Sequence, residues 1–172
     1  MKKLVILGCG GYGKTIEDVV LSGGLFDSVI FLDDGDKTGL AQGKCADFAE
    51  YIAENVWFYP AFGNNSLRIQ WIDRLVESGA QVATIVHPTA YVGRSAEIAT
   101  GTAVLPHAAV NATAKVEKGC IINFGAVIDH DVTVKYGCHI CINSTVKAYN
   151  TLPPLSKLEA GSTVLNNTFK QE

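Results

Sequence analysis

The second half of the chain repeats with a period of six residues. Neither a helix with 3.6 residues per turn nor a strand with alternating faces produces this spacing, whereas short strands joined by regular corners do. The repeat therefore predicts a parallel β-helix in which the aliphatic residues stack inside from coil to coil. Thirteen aliphatic residues keep the register: Val92, Ile98, Val104, Val110, Val116, Ile122, Ile128, Val134, Ile140, Val146, Leu152, Leu158 and Val164.

A second register of the same period accompanies the first. Four residues after each aliphatic position comes a small side chain, as at Ala96, Ala108 and Cys120, and Asn150 is the one misfit. A small residue suits the tight space near a corner of a solenoid. Two registers kept over this length exclude a chance pattern. We expect the β-helix to begin near Val86, ahead of the first repeat.

The first half of the chain alternates short apolar runs with helical spacing, which is typical of an α/β domain. His87-Pro88 follows the last apolar run, and the proline restricts His87 to the extended geometry that suits a chain entering the first coil. We therefore expect two domains, residues 1–85 and 86–172. Strands are predicted at Leu4–Leu7, Val29–Leu32, Val56–Tyr59 and Val82–Val86, and helices at Tyr12–Leu21 and Leu67–Ser78.

A glycine-rich turn follows the first predicted strand. The residues from Gly8 to Gly13 read G-C-G-G-Y-G, a G-x-G-x-x-G between a strand and a helix. Backbone N–H groups and the helix dipole at such a turn favour a phosphate group. Asp33 lies twenty residues after Gly13, beside Asp34 and at the end of the second strand. This spacing suits an acid that binds a ribose hydroxyl.

The order of strand, glycines, helix, strand and acid favours a nucleotide site over the alternative, a tight turn with two solvated acids. A dinucleotide fold needs two βαβ halves, and only one precedes the repeat. A mononucleotide is therefore the expected ligand.

Composition narrows the class of protein. The chain has 172 residues, 48% of them hydrophobic and 18% charged, with a net charge of −3. This balance, without a cluster of Lys or Arg, argues against nucleic acid as a partner. Two lysines near the N-terminus are followed by only four apolar residues before Gly8, too few for a signal peptide or a membrane span, so we expect a cytoplasmic location. The five cysteines are odd in number and scattered, which favours reduced thiols over disulfides or a metal site.

His130 is the candidate for proton transfer in the repeat. It lies two residues after Ile128, between Asp129 and Asp131. A carboxylate on one ring nitrogen fixes the tautomer and makes the imidazole more basic, which suits removal of a proton from an amine or a hydroxyl. The alternative is an exposed corner histidine among acids, and the residue alone does not exclude it. For His107, also at a corner, a surface or interface position is favoured over a second base.

The two halves together resemble a known family. The residues that carry the resemblance are Leu4–Gly13, Phe31–Asp34, Phe62–Asn65, His87-Pro88 and Val127–Asp131. They resemble the bacterial hexapeptide-repeat sugar acetyltransferases, of the sialic-acid O-acetyltransferase and UDP-4-amino-sugar N-acetyltransferase family, from Leu4 to about His139. The resemblance implies a small Rossmann-like domain followed by a left-handed parallel β-helix with three hexapeptides per coil. It also implies a homotrimer with active sites between subunits, acetyl-CoA as cosubstrate, and no metal.

The resemblance assigns roles to residues as well. His130 would be the general base, and Asp131 would raise its basicity. Past Ile142 the chain matches the family's last coil only if about one coil is missing. The family often has a histidine where Tyr12 stands. The residues implied to bind the nucleotide sugar are Gly10, Gly11, Tyr12, Asp33, Asp34 and Gly63, and those implied to contact acetyl-CoA are His139, Ile142, Ala160 and Gly161.

The expected function is acetyl transfer from acetyl-CoA to an amino group of a nucleotide-linked sugar, of the UDP-4-amino-4,6-dideoxy type. One alternative is O-acetylation of a sialic-acid-like sugar, where the same base would activate a hydroxyl. Another is a non-catalytic accessory subunit that binds a sugar nucleotide. A nicotinamide-dependent oxidoreductase is disfavoured, because the second nucleotide-binding half is missing.

Overall fold

The computed structural model describes residues 1–166, 168 and 169. The chain forms two compact units, Met1–Ala83 and Thr84–Glu172. Among the described residues, no helix is both long enough and apolar enough to cross a membrane.

The first unit is a parallel sheet with two helices. Its strands lie in the order β2-β1-β3-β4, and the central strand β1 is almost wholly buried, as expected for a continuous apolar run in a parallel sheet. The predicted helices and the first three predicted strands are confirmed. The elements are β1 Lys3–Leu7, α1 Gly11–Ser22, β2 Ser28–Leu32, a 3₁₀ helix at Cys45–Tyr51, β3 Val56–Pro60, α2 Asn65–Glu77 and β4 Gln81–Val82.

The prediction of one strand over Val82–Val86 was wrong. The segment forms two short strands in different sheets, since β4 pairs with β3 whereas Ile85–Val86, strand β5, pairs with β8 at Ala103–Val104. An apolar run reports burial and does not tell which sheet buries it. The first rung of the solenoid therefore begins at Ile85, ahead of His87.

The second unit is a triangular β-helix, so the predicted fold class of an α/β domain followed by a β-solenoid is confirmed. Its strands form three parallel sheets, β17-β14-β11-β8-β5, β16-β13-β10-β7 and β18-β15-β12-β9-β6. Each strand pairs with the one 18 residues further on, as Lys115 does with Thr133, so three hexapeptides make one coil. The further strands are β6 Tyr91–Val92, β7 Glu97–Ile98, β9 Ala109–Val110, β10 Lys115–Val116, β11 Ile121–Ile122, β12 Val127–Ile128, β13 Thr133–Val134, β14 His139–Ile140, β15 Thr145–Val146, β16 Thr151–Leu152, β17 Lys157–Leu158 and β18 Thr163–Val164.

The two registers of the sequence fill the interior of the coils. The second residue of each strand points inward, and these aliphatic side chains form one continuous core with the small residues. The buried polar members of the small register donate to the carbonyl 15 residues further on, as Ser144 does to Glu159 at 2.8 Å and Cys138 to Pro153 at 3.1 Å. Reduced cysteines therefore serve the same purpose here as serine.

Asn150, the misfit of the small register, is fully buried and hydrogen-bonded. Its amide nitrogen donates to the carbonyls of Lys147 at 2.7 Å and Leu165 at 2.8 Å, and its amide oxygen accepts from the N–H of Phe169 at 2.9 Å. A buried polar side chain costs little when its donors and acceptors are satisfied. Asn150 thus joins the corner between β15 and β16 to the segment that follows β18, one coil further on.

From the corner after β7 to the corner after β17, each corner turns at its third residue, which takes a left-handed backbone conformation. Glycine adopts that conformation freely, and Asn and Asp tolerate it better than other residues. The non-glycine residues found there are His107, Thr113, Asp131, Asn143, Tyr149 and Leu155.

Candidate active site

His130 and Asp131 form a hydrogen-bonded pair at the corner that follows β12. Nδ1 of the imidazole lies 2.8 Å from Oδ2 of the carboxylate, and both side chains are a little under half exposed. This hydrogen bond raises the pKa of His130, burial opposes it weakly, and the charge of Asp129 adds to the increase. With Nδ1–H donating to a carboxylate, Nε2 is the nitrogen left to accept a proton.

Asp131 is held in place from the preceding coil. The hydroxyl of Thr113 donates to its Oδ1 at 2.7 Å. The hydrogen bonds from His130 and Thr113 lower the pKa of Asp131. The carboxylate therefore stays ionised and stabilises a protonated imidazole, the role of the third member of a catalytic triad.

Asp129 ties this corner to the coils on either side. Its Oδ1 accepts from the N–H of His130 at 2.8 Å and from Nδ2 of Asn111 at 3.2 Å, and the N–H of Ala148 also donates to its carboxylate. Burial raises the pKa of Asp129, but the hydrogen bonds from His130, Asn111 and Ala148 outweigh it and lower the pKa. The backbone that carries His130 is thus fixed from three coils.

Sequence reasoning did not single out Asn111, Thr113 or Tyr149 at this corner. Tyr149 packs edge-on against His130, with ring centroids 5.3 Å apart. Each of the three lies 18 residues from Asp129 or Asp131, one coil before or after. A search 18 residues either side of the acids that flank the predicted base, Asp129 and Asp131, could have found them.

The predicted nucleotide-sugar residues of the first unit lie at the carboxyl edge of the sheet. Gly10 caps the N-terminus of α1 and Gly11 is its first residue, and both are exposed. Asp33, at the end of β2, accepts from the N–H of Cys9 with Oδ2 at 2.8 Å and from the N–H of Gly35 with Oδ1 at 2.7 Å. Burial raises the pKa of Asp33, but these hydrogen bonds outweigh it and the pKa is lowered. Asp33 therefore supports the glycine turn directly.

The last glycine of the motif is required by close packing. A Cβ on Gly13 would overlap the carbonyl oxygen of Gly8, whereas a Cβ on Gly10 or Gly11 would meet open space. Gly13 thus lets α1 approach β1, and Gly10 and Gly11 leave the helix N-terminus open to a ligand.

Asp34 and Gly63 belong to the same edge of the sheet. Asp34 is exposed and accepts from the N–H of Cys45 with Oδ1 at 3.0 Å. Gly63 is exposed in the loop after β3. The strand order β2-β1-β3 places the ends of these three strands side by side, where α/β folds bind their ligands.

A fully buried arginine on α2, Arg68, holds the loop of Gly63. Its guanidinium donates to the carbonyl of Phe62 at 2.8 Å and to Oδ1 of Asn65 at 2.9 Å. The sequence had no signal for this role, because arginine on a helix is usually exposed.

Tyr12 makes an internal hydrogen bond in this region. Its hydroxyl lies 2.7 Å from the hydroxyl of Tyr59. Burial raises the pKa of Tyr12, the neighbouring Tyr59 adds to this, and Arg68 opposes it. A contact between Tyr12 and substrate stays a prediction.

The residues predicted to contact acetyl-CoA lie around a different corner of the β-helix. His139 is on β14, and its Nε2 lies 3.1 Å from Nδ2 of Asn123. Ile142 and Ala160 occupy exposed positions of the following corner in consecutive coils, where the N–H of Gly161 donates to the carbonyl of Ile142 at 2.9 Å. This corner precedes the face formed by β18-β15-β12-β9-β6, and the corner of His130 follows that face.

The described residues contain no group of three or more His, Cys, Asp or Glu side chains arranged to hold a metal ion. The five cysteines are free, and four of them are buried.

Comparison with known proteins identifies the first unit. Residues 3–75 match the PglD N-terminal domain. A curated relative is UDP-N-acetylbacillosamine N-acetyltransferase from Bacillus subtilis (strain 168), 31% identical over 112 residues, which are 61% of this chain and 52% of the relative. The chain thus matches about half the length of that relative.

Solved structures match both units of the chain. The acetyltransferase domain of PglB from Neisseria gonorrhoeae FA1090 has a TM-score of 0.90 at 27% identity, over 97% of this chain and 84% of that one. The same domain in complex with acetyl coenzyme A has a TM-score of 0.89 over 96% and 83%. PerB from Caulobacter crescentus, in complex with CoA and GDP-perosamine, has a TM-score of 0.80 at 20% identity over 99% and 92%, a likeness of fold. The resemblance inferred from the sequence is confirmed.

Proposed function

We propose that the chain transfers acetyl from acetyl-CoA to the amino group of a nucleotide-linked sugar, of the UDP-4-amino-4,6-dideoxy class. Nε2 of His130 takes a proton from the amine as the amine nitrogen attacks the thioester carbonyl. The C–S bond breaks, and CoA leaves as a thiol after protonation. Asp131 keeps the imidazole in the required tautomer, and a backbone N–H at a nearby corner stabilises the oxyanion.

The observation that carries this proposal is the pair of His130 and Asp131. A histidine with a raised pKa, one nitrogen on a carboxylate and the other directed away from it, is built to accept a proton. The names of the relatives support the substrates: the curated one acts on a UDP-sugar amine, and the PglB domain binds acetyl-CoA. The expected cytoplasmic location fits both proposed substrates, because each is highly charged.

The glycine turn and the acids are proposed to bind the nucleotide sugar. Gly10 and Gly11 present backbone N–H groups to the diphosphate, and Asp34 binds a hydroxyl. Asp33 contributes by accepting the backbone hydrogen bonds that hold the glycine turn. Gly63 has no side chain and therefore leaves room for the nucleotide sugar in the neighbouring loop. Tyr12 would contact the nucleotide sugar while its hydroxyl stays hydrogen-bonded to the hydroxyl of Tyr59.

The proposed homotrimer follows from the position of the two corners. The corner of His130 and the corner of Ile142 lie on either side of the β12 face. If three copies pack these faces around a threefold axis, the base of one subunit lies near the predicted CoA residues of the next. The outward residues of the face include Tyr91 at 60% exposure and Val127 at 37%, an apolar surface that suits burial against a second copy.

The direct test is a substrate panel with the purified chain and acetyl-CoA. UDP-4-amino-4,6-dideoxy sugars, the corresponding GDP-sugars and a sialic acid are compared by mass spectrometry of the products. The proposal predicts an amide product that resists mild hydroxylamine, from the UDP-sugar amine in preference to the others. A hydroxylamine-labile ester would instead favour O-acetylation. Nucleotide-sugar binding with no acetyl transfer to any acceptor would contradict the proposal in favour of an accessory role.

A further inference from the structure

Tyr149 has a large side chain in a backbone conformation that disfavours one. Its φ is 62°, in the left-handed region. One and two coils earlier, the same corner position holds Asp131 and Thr113. A bulky residue in this region is strained and persists only where its surroundings hold it, most often at functional sites.

Burial does not explain why a tyrosine stands there. The side chain is 55% exposed, so it contributes little to the core. Its ring instead stands almost perpendicular to the imidazole of His130, at an interplanar angle of 86° and 5.3 Å between centroids. Edge-to-face contacts of this kind are favourable and directional.

The imidazole has little other packing along its column of the solenoid. The positions one coil before and after His130 are Ala112 and Ala148, which offer only methyl groups. The hydrogen bond to Asp131 joins two side chains that are both partly exposed, at 42% and 45%, so water can compete for it and the imidazole can rotate away. The ring of Tyr149 supplies a second contact that opposes this rotation. The charged groups that act on His130 are Asp129 and Asp131.

We propose that Tyr149 is a positioning residue for His130, whose ring keeps the imidazole on Asp131 with Nε2 directed at the acceptor. This rests on the proposed function of His130 as the base. Without the ring, the imidazole spends part of its time away from Asp131, where it is misdirected and less basic.

The kinetic test compares Tyr149→Asn with Tyr149→Phe and Leu155→Asn. Asparagine tolerates the left-handed conformation, phenylalanine keeps the ring, and Leu155 is a matched control with a φ of 60° at another corner. We expect kcat to fall about tenfold or more for Tyr149→Asn, with KM for each substrate within about twofold. Tyr149→Phe and Leu155→Asn retain wild-type kcat. Full activity of Tyr149→Asn, or an equal loss in Tyr149→Phe, would overturn the proposal.

An NMR titration of His130 in the ligand-free chain gives a second readout that does not require turnover. Loss of the ring weakens the hydrogen bond to Asp131, the main cause of the raised pKa of His130. The pKa of His130 in Tyr149→Asn should therefore fall toward that of an ordinary histidine, and Tyr149→Phe should restore it. An unchanged or higher pKa in Tyr149→Asn contradicts the positioning role. If the wild type transfers no acetyl, the proposed function fails, while this titration still tests the inference.

Discussion

His130 and Asp131 are neighbours in the chain, and their side chains meet with 2.8 Å between Nδ1 and Oδ2. Adjacent residues of a strand point to opposite faces and could not make this contact. The corner makes it possible, because Asp131 takes a φ of 56°. The 18-residue coil then brings Thr113 onto the same carboxylate. The turn geometry and the repeat together position the pair of His130 and Asp131.

The pH dependence of kcat/KM should reflect this pair. Because the hydrogen bond that His130 donates to Asp131 raises the pKa of His130, the imidazole becomes protonated, and activity is lost, at a higher pH than for an ordinary histidine. Asp131→Asn removes the negative charge and lowers that pKa. We expect the acidic limb of the pH profile to move to lower pH and kcat to fall by about 10- to 100-fold. Thr113→Val, which removes only the support of Asp131, should shift the limb less. An acidic limb that stays in place in Asp131→Asn would exclude His130 as the titrating group.

The two acids after β2 should differ in what they stabilise. Both oxygens of Asp33 accept backbone hydrogen bonds, so Asp33→Asn must lose one of them, whereas Asp34→Asn can keep its single bond to Cys45 through the amide oxygen. We expect Asp33→Asn to lower the free energy of unfolding by about 1 kcal/mol. Asp34→Asn should leave stability within about 0.5 kcal/mol and weaken nucleotide-sugar binding. Urea denaturation and calorimetric titration measure the two effects, and equal stability of the two variants would contradict this division.

The glycine turn offers a matched pair of substitutions. A Cβ on Gly13 overlaps the carbonyl oxygen of Gly8, and a Cβ on Gly10 meets nothing. Gly13→Ala should therefore lower the free energy of unfolding by about 1–3 kcal/mol, since β1 and α1 must separate. Gly10→Ala should lower it less, by about 0.5 kcal/mol, because alanine caps a helix N-terminus less well than glycine. Thermal unfolding followed by circular dichroism gives the comparison, and a Gly13→Ala chain as stable as Gly10→Ala would show that the helix does not need the close approach.

The sequence was sufficient to predict the solenoid, because the six-residue period follows directly from the geometry of the coils. Each inward aliphatic residue must stack on another, so Val92 to Val164 could be placed before the structure was known. The same reasoning failed at Val82–Val86, where one apolar run supplies two sheets. Hydrophobic patterning records that a residue is buried and carries no information about which element covers it.

The candidate site was predictable in part. His130 and Asp131 stood out as a histidine beside an acid, and Asp33 by its spacing from Gly13. Three hexapeptides per coil place Thr113 and Asn111 one coil from the two acids, but the sequence does not show that their side chains reach the carboxylates. Arg68 gave no signal, since burial of a helical arginine depends on the loop that it happens to support.

The central claim is that His130 is the base of an acetyl transfer, and CoA release tests it most directly. The measurement compares the wild type with His130→Ala and with His107→Ala, a second exposed corner histidine with a φ of 60°. With acetyl-CoA and a UDP-4-amino sugar, we expect His130→Ala to release CoA at least about 100-fold more slowly than the wild type, the scale of a lost general base. His107→Ala should keep the wild-type rate. A wild-type rate in His130→Ala would contradict the claim.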